Sequence, residues 1–272
     1  ALRRDFSGAD LRLQDALKYN ADSDFVLATM AKVDVLRGER DRARELVNRT
    51  LEMTPECPYC WSVLGDLDFA QSDYDKAVED YSKAISFGSS FSQDYFKRAI
   101  SYIYLGQYDE ARADLSRLAS VYGATSEIEF AYGLIEYNQK EYQEASAYFD
   151  KSLKLRGDQP LSLFYMAMAQ NALENYERAE FFARKVVATD KNNESANSLM
   201  ASILDKRGRA SEAADFLRNQ YRNSPQGMVH YANLLVRAGR TAEAITVISE
   251  IAELYPDSPD VMAKLGTLML ST

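Results

Sequence analysis

Small residues recur through this chain at an almost constant step, and this repeat constrains the fold more than any other feature. Successive members of one alanine series are 34, 34, 34, 34, 34 and 31 residues apart: Ala43, Ala77, Ala111, Ala145, Ala179, Ala213 and Ala244. Twelve residues before each of them lies a second small residue: Ala31, Gly65, Ala99, Gly133, Ala167, Ala201 and Ala232. A unit of this length cannot bury its apolar face alone, so the pattern predicts an array of stacked units.

Each unit reads as two helices joined by a short turn. In the unit that begins at Pro58, apolar and small residues follow the three-to-four-residue spacing of a helical face. The first helix, called helix A, carries Trp61, Leu64, Gly65 and Phe69, and the second, helix B, carries Tyr74, Ala77, Tyr81 and Ala84. Glycine at the break predicts a left-handed turn in the units that contain Gly38, Gly106, Gly208 and Gly239. Gly65 and Ala77 are predicted to let the two helices of one unit approach closely.

Composition narrows the classes of partner. The chain has a net charge of −9, and its basic residues are scattered and often adjacent to acidic ones, which argues against nucleic acid as a partner. Hydrophobic residues make up 46% of the chain and charged residues 27%, as in ordered proteins. No apolar run reaches the length that a membrane-spanning helix needs, so no direct membrane span is predicted.

The unit that begins at Pro58 resembles the tetratricopeptide repeat. The signature residues are Trp61, Leu64, Gly65, Ala77, Tyr81 and Ala84, and Asp68 stands where the family usually has tyrosine. The resemblance implies an all-α fold, a right-handed α-solenoid of helical hairpins, with seven full repeats and half-repeats at both ends. A single solenoid over residues 1–272 is predicted, a fragment of a longer chain, with repeats starting near 24, 58, 92, 126, 160, 194 and 225 and a final half-repeat from 259.

The family resemblance also implies that the A helices line a concave groove, with positions 2, 5, 9 and 12 of each unit facing it. Those positions and two adjacent tyrosines give twelve candidates for contact with a partner: Tyr59, Phe69, Phe96, Ile100, Ile103, Tyr104, Phe130, Leu134, Tyr137, Phe164, Tyr165 and Met168. An apolar patch with a polar rim suits a peptide or a helix, so a protein partner in this groove is predicted. The alternative is that these side chains pack against neighbouring helices.

Other motifs give little sign of catalysis. The family's clamp for a terminal carboxylate needs lysine, arginine and asparagine, but the corresponding places hold Phe96, Ile100, Phe130 and Leu134. Cys57-Pro58-Tyr59-Cys60 resembles the active site of glutaredoxins, although no strand pattern precedes it; a local disulfide between Cys57 and Cys60, or two inactive thiols, is predicted instead. His230 is the sole histidine and no phosphate-binding glycine motif is present, so no metal, no cofactor and no enzyme activity are predicted.

Three hypotheses for function follow. The leading one is a protein-interaction scaffold. Its repeat units resemble those of bacterial envelope proteins that serve exopolysaccharide export or pilus assembly. A periplasmic or outer-membrane-associated location is therefore expected, with a cytoplasmic location as the alternative. The second is the regulatory or substrate-docking region of a larger enzyme such as a glycosyltransferase. The third is a thiol redox protein. Weak end-to-end self-association is also expected, because Leu265, Leu268, Met269 and Leu270 lack a following helix.

Overall fold

The computed structural model describes residues 6–20, 23–219, 221, 225–256 and 259–270. These residues form sixteen helices: α1 (Phe6–Tyr19), α2 (Asp24–Arg37), α3 (Arg40–Met53), α4 (Pro58–Ala70), α5 (Tyr74–Ser86), α6 (Ser92–Tyr104), α7 (Tyr108–Tyr122), α8 (Ser126–Asn138), α9 (Tyr142–Leu155), α10 (Pro160–Ala172), α11 (Tyr176–Thr189), α12 (Glu194–Lys206), α13 (Ala210–Leu217), α14 (Pro225–Arg237), α15 (Thr241–Leu254) and α16 (Pro259–Met269). No strand occurs among the described residues. The predicted all-α fold of tetratricopeptide hairpins is confirmed.

The chain divides into two compact units, an N-terminal unit (Ala1–Asn138) and a C-terminal unit (Gln139–Thr272). In the N-terminal unit, α2–α3, α4–α5 and α6–α7 are helical hairpins, α1 packs on α2, and α8 packs on α6 and α7. In the C-terminal unit, α10–α11, α12–α13 and α14–α15 are hairpins, α9 packs on α10, and α16 packs on α14 and α15. The even-numbered helices α2 to α16 are A helices, and they begin at the predicted repeat starts.

The turn between helix A and helix B is left-handed in every unit at the same repeat position. Gly38 has a φ of 88°, as the sequence predicts for glycine at this position. Ser72, Lys140 and Glu174 occupy the same position with φ values of 62°, 67° and 60°. For a residue with a side chain this backbone conformation costs about 1–2 kcal/mol. Glycine is therefore not required for the left-handed backbone at this position.

The repeated small residues form the centre of each hairpin. All seven alanines of the series that begins at Ala43 are fully buried. At Gly65 the neighbour is a side chain: an added Cβ atom would lie 2.7 Å from both Cδ1 and Cε1 of Tyr81. The hydroxyl of Tyr81 donates a hydrogen bond to Oδ1 of Asp66 at 2.8 Å, which fixes the ring against the backbone of α4. The close approach predicted at Gly65 is thus made by an aromatic ring.

Polar side chains connect each hairpin to the next one. Nη2 of Arg44 on α3 lies 2.5 Å from Oδ1 of Asp68 on α4, which gives Asp68 a structural role where the family usually has tyrosine. The same offset of 24 residues recurs in two further contacts between a B helix and the next A helix. It joins Arg112 to Glu136 at 2.8 Å and Gln170 to Ser146 at 2.9 Å. These contacts set the position of one hairpin on the next, because hydrogen bonds to buried partners are lost if a helix shifts.

The 31-residue step coincides with the shortest helix. Helix α13 has eight residues, whereas α11 and α15 have fourteen each. The sequence predicts a tighter turn around Asn223, Ser224 and Pro225 with a local change of twist. Asn223 and Ser224 lie outside the described residues, so that change of twist stays a prediction.

Asp68 also faces a second carboxylate, Asp80 on α5. Burial and the hydrogen bond and charge of Asp68 raise the pKa of Asp80 from 3.8 to about 7, against the opposing charges of Lys83 and Arg44. The folded protein therefore holds a proton between about pH 4 and pH 7 that the unfolded chain releases. The free energy of unfolding consequently falls as the pH rises through this window.

Replacing Gly65 with alanine tests the close approach to Tyr81. We expect Gly65→Ala to lower the free energy of unfolding by about 1–3 kcal/mol, because the hydrogen-bonded ring must move. Urea unfolding followed by circular dichroism gives the value. Gly157→Ala is the control, since its added Cβ atom meets only the Leu153 carbonyl oxygen at 3.7 Å. Equal stability of Gly65→Ala and Gly157→Ala would contradict the assignment.

Replacing Asp80 with asparagine tests whether the folded protein retains a proton on Asp80 at neutral pH. The wild-type protein should lose more stability than Asp80→Asn between about pH 5 and about pH 8, by on the order of 1 kcal/mol after allowance for solvent screening. The other titrating groups are common to both proteins and cancel in the comparison. Urea midpoints at the two pH values give the difference, and Glu79→Gln, an exposed change on the same helix, should follow the wild type. If the free energy of unfolding of the wild type and of Asp80→Asn changes with pH in the same way, Asp80 does not retain this proton.

Candidate functional site

The structure separates the twelve predicted groove residues into three groups. Four of them are buried, and for these the predicted contact with a partner is corrected: Ile100, Ile103, Phe130 and Leu134. Helix α6 packs against both α4 and α8, so apolar side chains between adjacent A helices are removed from solvent. Seven are half-buried: Tyr59, Phe69, Phe96, Tyr137, Phe164, Tyr165 and Met168. Tyr104 is 55% exposed.

In the N-terminal unit, three aromatic rings at the starts of successive A helices form a continuous row. The ring of Tyr59 lies 4.8 Å from that of Phe25 in an edge-on arrangement and 5.4 Å from that of Phe91. Phe25 is 51% exposed and Phe91 38% exposed, so the row is open to solvent. We call Phe25, Tyr59 and Phe91 the aromatic row. It offers the exposed edges and faces that apolar side chains of a partner can bury.

Two members of the aromatic row, Phe25 and Phe91, are not among the predicted groove residues. Phe25 lies 34 residues before Tyr59, at the same repeat position, and could have been found from the period alone. Phe91 could not, because it is the residue before α6 and falls outside the positions expected to face the groove. Its extended backbone directs the ring toward Tyr59.

Charged side chains lie next to the aromatic row. Asp66 on α4 accepts a hydrogen bond from Nζ of Lys97 at 2.6 Å, and Nζ of Lys32 lies 3.9 Å from its other oxygen. The Lys32 ammonium also lies 5.6 Å from the centre of the Phe91 ring. Asp66 is buried, whereas the Lys32 side chain is 41% exposed. The outward charge of this group is therefore positive.

The same carboxylate connects this surface to the core. Burial, followed by the negative charge and hydrogen bond of Asp66, raises the pKa of Tyr81 well above its usual range, so the phenol remains protonated and donates. Asp94, at the start of α6, is a second buried acid and accepts hydrogen bonds from Ser62 at 2.6 Å and from Ser89. Burial raises the pKa of Asp94, although these two hydroxyl groups act in the opposite direction. The A helices beneath the aromatic row are thus fixed to one another by hydrogen bonds.

A second aromatic group lies at the other end of these A helices. The rings of Tyr74 and Tyr104 are stacked, with centres 4.4 Å apart, and the Phe69 ring meets Tyr74 at 5.7 Å. Nζ of Lys97 lies 5.7 Å from the centre of the Phe69 ring, between this group and Asp66. Ten residues of helix separate Tyr59 from Phe69, which corresponds to about 15 Å. The A-helix surface, as we call it, comprises the aromatic row, the charged group and this second aromatic group.

In the C-terminal unit the predicted groove residues contribute mainly to packing. Phe164 packs against a buried cluster that contains Leu163, Val186 and Ala196. Tyr165 contacts the ring of Phe164 at 5.7 Å and that of Phe149 at 5.9 Å. For these residues the alternative of packing against neighbouring helices describes the contacts best.

The C-terminal unit also has a cavity that the sequence did not predict. It has a volume of about 550 Å³ and lies beside the end of the short helix α13. Its lining mixes both charges with apolar groups, among them Lys191, Asn197, Asp215 and Phe216. Asp215 is paired with Arg240 at 3.0 Å. The mixed lining does not indicate one class of ligand.

Cys57 and Cys60 are joined by a disulfide at the start of α4. Both residues are fully buried, and they pack in the core between the first two hairpins with Ala31, Val47 and Leu67. Thiol exchange needs an accessible sulfur, so this environment is typical of a structural disulfide. Tyr59 of the aromatic row lies between the two cysteines, and the disulfide therefore constrains the turn that carries its ring.

Among the described residues, no group of three or more histidine, cysteine, aspartate or glutamate side chains is arranged to hold a metal ion. In the same part of the chain, no helix combines the length and the apolar character needed to cross a bilayer.

Comparisons with known proteins agree with this architecture. The family model described as "Tetratricopeptide repeat" matches residues 29–91 and 96–160, and the model described as "Anaphase-promoting complex, cyclosome, subunit 3" matches residues 172–251. A curated relative, anaphase-promoting complex subunit 3 of Schizosaccharomyces pombe, is 24% identical over 181 residues. That match covers 66% of this chain and 27% of the relative, so the chain spans about a quarter of the relative's length.

Two solved structures extend the likeness over more of the fold. The crystal structure of the hetero-tetramer Cut9-Hcn1 of the anaphase-promoting complex matches with a TM-score of 0.69 and 16% identity, covering 94% of this chain and 51% of that one. PilW, a type IV pilus biogenesis factor, matches with a TM-score of 0.65 and 18% identity, covering 74% of this chain and 93% of its own. At these identities the likeness shows the fold alone. The chain belongs to the tetratricopeptide-repeat family.

Proposed function

We propose that this chain is a protein-interaction scaffold and that the A-helix surface of its N-terminal unit holds a segment of a partner polypeptide. The observation that carries the proposal is the aromatic row, in which Phe25 and Phe91 remain exposed although each lies next to Tyr59. Aromatic side chains supply much of the binding energy at protein interfaces because they bury large areas with few rotatable bonds.

The charged group beside the row favours a defined orientation of the partner. Asp66 is already hydrogen-bonded to Lys97 and Tyr81, so the exposed ammonium of Lys32 can donate to an acidic group of the partner without leaving a buried charge unpaired. The hydrogen bonds beneath the surface keep it rigid, and little ordering is needed when a partner binds. The proposed binding site therefore lies in the N-terminal unit alone. It includes Phe25, Phe91, Lys32 and Lys97, which are not among the predicted groove residues.

Names of related proteins suggest the setting. The anaphase-promoting complex subunit and the Cut9-Hcn1 hetero-tetramer belong, by their names, to a multiprotein complex, and PilW is named as a pilus biogenesis factor. A role within such an assembly is therefore proposed for this chain. A bacterial envelope setting, with exopolysaccharide export or pilus assembly, remains the narrower proposal, and docking for a larger enzyme such as a glycosyltransferase is its alternative.

End-to-end self-association remains a second, separate proposal. Met269 and Leu270 at the end of α16 are exposed, which favours association of apolar surfaces. The side chains of Leu265 and Leu268 lie outside the described residues.

Peptide selection tests the A-helix surface even though the partner is unidentified. A random peptide library displayed on phage is selected on the immobilised chain, and synthetic versions of the selected peptides are titrated by fluorescence anisotropy. We expect one class of peptides to lose about tenfold or more in affinity for the double variant Tyr59→Ala, Phe91→Ala, because two ring contacts are removed.

The matched control removes an aromatic ring elsewhere. Phe181→Ala truncates a ring of comparable exposure on α11 in the C-terminal unit and should bind the same peptides as the wild type. Circular dichroism checks that all variants keep their helical content. If no selected peptide distinguishes the double variant from the control, the A-helix surface does not bind polypeptides and the proposal fails.

A further inference from the structure

The B helices carry a second periodic pattern, which the A-helix surface does not include. The tenth residue of five successive B helices is basic and exposed: Arg49, Lys83, Arg117, Lys151 and Lys185. One helical turn later, at the same period of 34 residues, four large apolar residues are exposed: Met53, Phe87, Val121 and Leu155. Residues four apart lie on one face of a helix. Four of these five B helices therefore present a cation beside an apolar side chain at the end of the helix or directly after it.

Three such pairs lie in the N-terminal unit, on α3, α5 and α7. The apolar members are well exposed, Met53 by 52%, Phe87 by 39% and Val121 by 68%. Large apolar side chains are thus exposed at the same repeat position in three successive hairpins. Such a repeated exposure is typical of an interaction surface, whereas a single exposed apolar residue is not. We call Arg49, Lys83, Arg117, Met53, Phe87 and Val121 the cationic edge.

Two cations of this edge are held by aromatic rings, and none of the three is paired with a carboxylate within hydrogen-bonding distance among the described residues. Nζ of Lys83 lies 4.1 Å from the centre of the Trp61 ring, and the guanidinium of Arg117 lies 4.8 Å from that of Tyr95. Within the described part of the chain, neither of them nor Arg49 forms an ion pair with an acidic side chain. Aromatic contacts restrict the motion of the two cations, so less side-chain entropy is lost when a carboxylate binds them. Unpaired basic groups are unexpected in a chain with a net charge of −9.

A pocket adjoins the last pair of the edge. It has a volume of about 250 Å³ and lies between the starts of α6 and α8 and the end of α7. Phe96, Leu118, Tyr122 and Ile128 form most of its apolar lining. Leu118 and Tyr122 belong to α7, so the pocket lies at the end of the helix that carries the last pair of the edge. Its size and lining suit one apolar side chain.

The geometry points to a second docking surface: the cationic edge of the N-terminal unit binds an acidic segment of another polypeptide, one of whose apolar side chains enters the pocket beside Tyr122. Carboxylates of the segment pair with Arg49, Lys83 and Arg117, and its apolar residues cover Met53, Phe87 and Val121. A polypeptide fits better than an anionic membrane because a flat bilayer cannot fill the pocket beside Tyr122. This surface is separate from the A-helix surface, and neither proposal depends on the other.

Charge reversal on the full chain tests the inference. Peptides selected from a random phage library on the wild-type chain are measured by fluorescence anisotropy against the triple variant Arg49→Glu, Lys83→Glu, Arg117→Glu. We expect a class of peptides rich in aspartate, glutamate and apolar residues to lose about tenfold or more in affinity. Binding of this class should weaken as salt is added, and Tyr122→Ala should weaken it by removing one wall of the pocket.

The controls separate this surface from net charge and from the other surface. The triple variant Lys18→Glu, Lys154→Glu, Arg178→Glu changes the net charge equally at exposed positions outside the edge and should bind like the wild type. The variant Tyr59→Ala, Phe91→Ala should also bind the acidic peptides with the affinity of the wild type. The two sets of variants therefore test the cationic edge and the A-helix surface independently.

Two results would overturn the inference. One is that no selected peptide class depends on the three cations, or that the class that does is not acidic. The other is that vesicles containing phosphatidylserine bind the wild type but not the triple variant Arg49→Glu, Lys83→Glu, Arg117→Glu, while vesicles of phosphatidylcholine alone bind neither and no peptide class distinguishes the two proteins. The edge would then be a membrane-contacting surface.

Discussion

The close crossing of the two helices in each hairpin is the contact on which the rest of the structure depends. It needs small residues at fixed positions, and the buried alanine series provides them throughout the chain. At Gly65 the space is taken by the ring of Tyr81, which the Asp66 carboxylate holds by its hydroxyl. The turn between the helices has a left-handed backbone whether its residue is glycine or, as at Ser72, Lys140 and Glu174, carries a side chain.

Buried carboxylates connect this packing to the surface above it. Asp66 contacts the core through Tyr81 and the surface through Lys97, so the position of the charged group depends on the position of the hairpin core. Asp68 links α3 to α4 through Arg44 and also faces Asp80, whose raised pKa reflects burial beside a second acid. In a stacked array such polar links define the register between hairpins, because apolar contacts alone are less directional.

The N-terminal unit therefore offers two chemically different surfaces on one scaffold. Its A helices present aromatic rings beside Asp66, whose carboxylate already accepts hydrogen bonds from Tyr81 and Lys97. Its B helices present basic side chains beside exposed apolar ones. A scaffold with two such surfaces can hold two segments of polypeptide at once, which raises the effective concentration of one for the other. The disulfide at Cys57 and Cys60 constrains the turn that carries Tyr59 and belongs to the first of these surfaces.

The sequence by itself determined the repeat, the helix starts and the family, because the period of small residues and the helical spacing of apolar ones are local and additive features. It also contained Phe25, at one period from Tyr59, and the five basic residues of the B helices. Only the tertiary structure decided which side of each A helix is covered. Ile100 and Leu134 occupy positions expected to face a groove, yet both are buried, whereas Phe91 lies outside those positions and is exposed beside Tyr59. Helical periodicity identifies a face, but exposure depends on where the neighbouring helix packs, and that is set by contacts between residues far apart in the chain.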